Sequence, residues 1–257
     1  MPIFERLATF FIALILHSMP NNFFEFKQFK VEQDKCAMKV CTDACLFGAW
    51  VASKFQTSNL RLHVLDIGAG TGLLSLMFAQ KNSSANIDAV EIDRSAAEQA
   101  KENFKNSAWK DRLHIHHQDI QQFGFNKYDL IISNPPFYEN DLKSDNSKRN
   151  LALHSSALGL DDLLDVIQKH LSNNGKFAVL LPYHRSANFI NHALLKDFHL
   201  HEEVSVKQTF KHPYFRSMLI FGTNKIQIQH AEICIKEKNN DYSDEFKELL
   251  QDYYLKL

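Results

Sequence analysis

Val64-Leu65-Asp66-Ile67-Gly68-Ala69-Gly70-Thr71-Gly72 decides how this chain folds. A short apolar run ends in three glycines at alternate positions, and an apolar helical stretch from Leu73 to Gln80 follows. Glycines so spaced let the backbone approach a ligand closely and take conformations barred to other residues. The spacing is G-x-G-x-G, whereas dinucleotide enzymes carry G-x-G-x-x-G, so a nicotinamide cofactor is disfavoured. Asp66, just before the turn, suits a ligand with a positive charge better than a pyrophosphate.

Outward from this turn, strands and helices alternate. The apolar pattern predicts strands at Leu62–Asp66, Ile87–Glu91, Leu113–His116, Tyr128–Ser133, Lys176–Leu181, Leu200–Lys207 and Phe215–Thr223. Helices are expected at Leu73–Gln80, Ser95–Ala108, Asp161–Leu171 and Ala187–Lys196. Ala97, Ala100, Phe104 and Ala108 would share one face of the second of these, and Asn173-Asn174-Gly175 would stop the third. A last helix follows Ser243, a good N-cap, with Phe246, Leu249, Leu250, Tyr253, Tyr254 and Leu257 at helical spacing. The expected fold is α/β, a Rossmann-like, seven-stranded, mostly parallel sheet with helices on both faces. Residues 23–257 read as a single domain and residues 1–22 as an N-terminal extension.

Two further acids stand at strand ends. Glu91 closes the second strand, a place from which a carboxylate accepts hydrogen bonds from both ribose hydroxyls. Asp119 follows the third strand and can take the exocyclic amine of a purine. Asp66, Glu91 and Asp119 in that order, with the glycines, describe a site for S-adenosylmethionine: a cationic sulfonium amino acid, a ribose and an adenine.

Asn134-Pro135-Pro136-Phe137 directly follows the fourth strand. Two prolines after an Asn make a rigid, extended exit. Such an exit holds one polar side chain and one aromatic ring at fixed spacing, which suits a flat heterocycle bearing an amino group. The following Glu139–Asn150 is polar and long enough to order over a substrate.

Composition sets bounds. A net charge of −1 means that any nucleic-acid contact comes from local patches rather than a global field. The cysteines Cys36, Cys41 and Cys45 lack a zinc-finger histidine spacing, so reduced thiols and no metal are expected. The apolar run Leu7–Leu16 is too short to span a bilayer. No small-x-small cleavage site follows it, so a cytoplasmic protein without a membrane anchor is expected.

These motifs resemble those of class I methyltransferases that modify exocyclic amines. Within that group the chain is similar to the bacterial tRNA-valine (adenine-N6)-methyltransferases. The resemblance runs through Phe24–Phe29, Asp34–Asp43, Leu46–Trp50, Asp129–Pro136 and Asn240–Ser243, and so covers nearly everything after residue 22. Phe137 stands where many members carry Tyr, and Leu153 where they tend to carry Arg. The resemblance implies methyl transfer from S-adenosylmethionine to the N6 amine of an adenine in tRNA, at position 37 beside the anticodon. Asn134, Pro135 and Phe137 would be catalytic. Asp66, Gly68, Gly70, Gly72, Glu91, Asp119 and Asn134 would line the cofactor site, with Lys39, Thr42 and Asp43 beside it. An anticodon loop would meet cations drawn from Lys27, Lys30, Lys143, Lys148, Arg149, Lys211 and Arg216. A ribosomal RNA guanine, a DNA adenine or a protein glutamine remains open as the amine, as does a module that binds without turnover.

Overall fold

A computed structural model describes residues 21–36, 38–56, 61–124, 126–136 and 159–257. The glycine stretch does what its pattern predicts. β3 (His63–Ile67) runs into the turn, and α2 (Leu73–Lys81) leaves it. Gly68, Gly70 and Gly72 all have positive φ, at 72°, 56° and 81°. A side chain at Gly72 would also place its Cβ 2.4 Å from Phe104 Cε1, so that position excludes every other residue on two counts.

The remaining elements follow in chain order. β1 (Phe23–Glu25) and β2 (Lys30–Glu32) form an antiparallel hairpin ahead of α1 (Thr42–Lys54). After α2 come β4 (Asn86–Glu91), α3 (Arg94–Lys105), β5 (Leu113–His117) and β6 (Tyr128–Ser133). Then follow α4 (Leu160–His170), β7 (Leu171–Pro182), α5 (Tyr183–Leu195), β8 (His199–Thr209), β9 (Tyr214–Gly222), β10 (Gln229–Lys236) and α6 (Asp244–Leu250).

The main sheet has the order β10-β8-β9-β7-β6-β3-β4-β5. It is parallel except that β9 lies antiparallel between β7 and β8. Two apolar cores flank it. One gathers α1, α2, α6 and the hairpin around Phe47, Leu76, Phe246 and Tyr253, and the other gathers α4 and α5 around Leu164, Phe177 and Phe189.

Several expectations are corrected. The sheet holds eight described strands, not seven: Gln229–Lys236 adds a parallel edge strand to β8. Its first half, Gln229-His230-Ala231-Glu232, is exposed, so no apolar alternation marks it. Asn173-Asn174-Gly175 does not stop a helix. α4 already ends at His170, and β7 carries these residues in a bulge, five steps along β7 against two along β6. Ala108 is exposed beyond the end of α3. The last helix ends at Leu250, although Tyr253 and Tyr254 stay buried, and Tyr254 pairs with Phe26 of the N-terminal hairpin. Ser243 caps that helix as expected, its Oγ accepting from Phe246 N at 3.2 Å. Residues 1–20 lie outside the described residues. Among those described, no helix is long and apolar enough to cross a membrane.

Candidate active site

Strand register assembles the site. Ile67 of β3 pairs with Val90 of β4 on one side and Ser133 of β6 on the other. The next residue along each strand is Gly68, Glu91 and Asn134. The three are therefore neighbours at one end of the sheet, separated by about one strand spacing of 4.8 Å each. Glu91 in turn pairs with His117 of β5, two residues ahead of Asp119. Four expectations that lie far apart in sequence thus stand in one row along the carboxyl end of parallel strands. That is where open α/β sheets bind ligands.

The acids are held differently. Glu91 is buried, and its two oxygens accept from Gly70 N and Asp93 N, both at 2.8 Å. The carboxylate thus pins the glycine turn while keeping lone pairs for a ligand. Asp66 is fully buried; Ser75 Oγ donates to its Oδ2 at 2.6 Å, and its Oδ1 has no hydrogen-bond partner. Burial pushes its pKa up to about 6, against the opposing pull of the Ser75 hydrogen bonds. Asp119 is half-buried, and its Oδ1 caps a short turn by accepting from Gln121 N at 2.9 Å.

The exit strand is equally constrained. Ser133 Oγ donates to Ile67 O at 2.9 Å, tying β6 to β3 one residue before Asn134. Pro135 is buried, and Asn134 and Pro136 are half-buried. Phe137, Lys143, Lys148 and Arg149, with Leu153 and the polar stretch 139–150, lie outside the described residues.

The segment ahead of α1 is laced onto this frame by residues that no motif announces. Asn103, buried on α3, donates to Glu32 O and to Thr71 O and accepts from Glu32 N, each at 2.9 Å. It therefore clamps β2 to the glycine turn. One turn earlier, Gln99 Oε1 accepts from Lys35 N at 3.0 Å. The available signal was two amides, i and i+4, on the apolar face of an amphipathic helix, where a polar residue is out of place. Lys39 donates to Gln33 O, and Thr42 opens α1. Asp43 pairs with Arg216 at 2.8 Å, so this arginine is already engaged.

Of the other cations expected to meet RNA, Lys27 donates to Gln251 O at 2.6 Å. Lys30 pairs with Glu32 at 2.5 Å, over the Phe23 ring. Lys211 sits at the β8–β9 turn, 5.6 Å from the Phe210 ring centre, on the same end of the sheet as Asn134. The four cysteines are free.

The donor set fits a cationic ligand that approaches backbone closely. Asp66 offers an unpartnered buried oxygen, and nothing lies within 4 Å of where a Cβ would stand on Gly68 or Gly70. An open, mostly parallel sheet with this glycine turn and this row of acids is the architecture of a class I, S-adenosylmethionine-dependent methyltransferase. The family described as "Methyltransferase small domain" matches residues 48–211. A curated tRNA1(Val) (adenine(37)-N6)-methyltransferase of Christiangramia forsetii is 39% identical over 93% of this chain and 100% of its own. One of the same name from Flavobacterium johnsoniae is 42% identical over 91% and 100%. The chain belongs to the tRNA1(Val) (adenine(37)-N6)-methyltransferase family. Among solved structures, a predicted O-methyltransferase of Agrobacterium tumefaciens superposes with a TM-score of 0.63 at 15% identity, covering 82% of this chain and 96% of that one, which shows the shared fold.

Proposed function

We propose that this protein transfers a methyl group to the exocyclic N6 amine of an adenine in tRNA, at position 37 beside the anticodon of tRNA1(Val), as the name of its relatives states. The register that sets Asn134 beside Gly68 carries the reading, because it brings an amide acceptor to the cofactor turn. S-adenosylmethionine, when bound, supplies an electrophilic methyl on a sulfonium. Asp66, Gly68, Gly70, Glu91 and Asp119 would hold it.

The chain's own task is to prepare the nucleophile. An adenine amine is poor in this role, since its lone pair is delocalised into the ring. The Asn134 side-chain carbonyl and the Pro135 backbone carbonyl each accept one of its N–H groups. Holding both protons out of the ring plane moves the nitrogen towards tetrahedral and frees its lone pair. Alignment of this kind supplies much of a barrier reduction without a general base. The proton leaves afterwards through the same acceptors or water. Phe137 stacks on the base, and an unpaired loop nucleotide enters such a pocket more cheaply than one in a duplex.

Labelled methyl transfer to unmodified total RNA, followed by nucleoside mass spectrometry, tests the reading. N6-methyladenosine in tRNA is the expected product, and label confined to DNA or protein would overturn it.

A further inference from the structure

The β8–β9 hairpin rises above the reaction site. Ser133 is level with Val179 of β7, and Val179 with Leu219 of β9. β9 continues five residues further to Tyr214, which still pairs with Lys207. At about 3.3 Å per residue, the hairpin therefore stands roughly 17 Å above Ser133, the last strand residue before Asn134, two strands aside.

The tip of this wall is organised. His212 N donates to Thr209 O at 3.0 Å, and Thr209 Oγ1 contacts His212 Nδ1 at 2.7 Å and accepts from Lys211 N at 3.3 Å. The turn so fixed presents Phe210, a large aromatic left 45% exposed. Lys211 lies 5.6 Å from its ring centre. Lys238, from the turn after β10, lies 5.2 Å from the same ring. Among the described residues no carboxylate stands within ion-pair distance of either ammonium, whereas Lys207 beside them is bound to Glu232 at 3.0 Å. Between this tip and Asn134, Tyr183 and Tyr214 pack at 5.0 Å, and Tyr183 is exposed.

Resting on the RNA-methyltransferase reading, we propose that Phe210, Lys211 and Lys238 form a second RNA contact, in which an unpaired nucleotide a few positions from the target stacks on Phe210 and its phosphates pair with the two lysines. An exposed ring with unpaired ammoniums from two separate elements matches both parts of a nucleotide, a flat base and an anionic linkage. The lysines hold the ring only weakly in water and exchange that contact for charge-assisted bonds to phosphate.

The test uses the full-length protein and unmodified tRNA. Phe210→Ala should weaken tRNA binding at least about 5-fold, the low end of loss for one stacked base, and Phe210→Trp should restore it. Lys211→Ala with Lys238→Ala should lower the slope of log affinity against log salt by about 1.4 to 2. S-adenosylmethionine affinity should be unchanged in every variant. Wild-type tRNA affinity and salt slope in the variants would overturn the contact while leaving the enzyme's activity on tRNA intact. A wild-type protein that neither binds nor methylates tRNA would overturn the underlying reading instead.

Discussion

The two halves of the sheet differ in what they leave open at the end that carries the site. In the cofactor half, β3-β4-β5 with α3 packed beside it, polar groups are tied into the chain: Glu91 on Gly70 and Asp93, one oxygen of Asp66 on Ser75, and Asn103 of α3 on Glu32 and Thr71. In the substrate half, β6-β7-β9-β8-β10, β8 and β9 run on beyond the site. Past the engaged Lys207 and Arg216 their turn carries the exposed Phe210 ring beside Lys211 and Lys238, neither of which has a carboxylate partner among the described residues. A small cation needs a preorganised pocket whose dipoles are fixed before it arrives. A large polyanion is met by a wide surface, where each contact is weak and the sum is salt-dependent. Asn134 stands on the seam, held by Ser133 to the cofactor half and open to the substrate half.

The sharpest way to break this division is at the seam. Asn134→Ala should reduce kcat more than about 100-fold, because the amine loses its alignment. Cofactor affinity, measured by calorimetry, should stay within a few fold. A parallel collapse in cofactor binding would merge the two halves.

Asp66 gives the next largest effect. Its carboxyl is raised in the folded state to about 6 from an ordinary 3.8. A raised carboxylate contributes stability that is fully present below the unfolded value and is lost as pH rises through the folded one. Folding stability should therefore fall by about 3 kcal/mol from this group between about pH 4 and 6, at about 1.4 kcal/mol per pH unit. Urea unfolding of Asp66→Asn should lack that component. Identical pH profiles for the two proteins would remove the buried charge from the account.

Glu91→Ala strips the acceptor from Gly70 N and Asp93 N. Hydrogen bonds to charged groups contribute about 1.5–3 kcal/mol, so cofactor affinity should drop about 10- to 100-fold. tRNA affinity should hold in a filter-binding assay, and a matching loss there would blur the comparison. Gly72→Ala sharpens it from the stability side. Left-handed strain alone costs about 1–3 kcal/mol, and the Phe104 ring must move besides. A lower urea midpoint with an unchanged m-value is the expected result.

Legibility followed the same seam. The left-handed glycine turn and the positions of Asp66 and Glu91 on β3 and β4 are legible because strand, turn and helix are consecutive in the chain. The role of Asn103 is not legible in the sequence because its partners, Glu32 and Thr71, belong to other segments, and an amide on an apolar helix face announces no partner. β10 is not legible in the sequence because an edge strand buries only part of one face, so Gln229–Glu232 carries no hydrophobic alternation. The engaged state of Arg216 was equally invisible, since its partner Asp43 lies on the first helix.

By itself the sequence determined the α/β alternation, the left-handed glycine turn and the identity of the row of strand-end acids. Each follows from apolar period or from the φ that only glycine takes freely. Only the tertiary structure decided that Gly68, Glu91 and Asn134 are neighbours, that Asn103 laces the N-terminal segment to the glycine turn, and that Phe210 meets Lys238. Those contacts depend on strand register and on which element packs over which. Backbone hydrogen bonds and burial set these across the whole sheet, and no short stretch of chain encodes them alone.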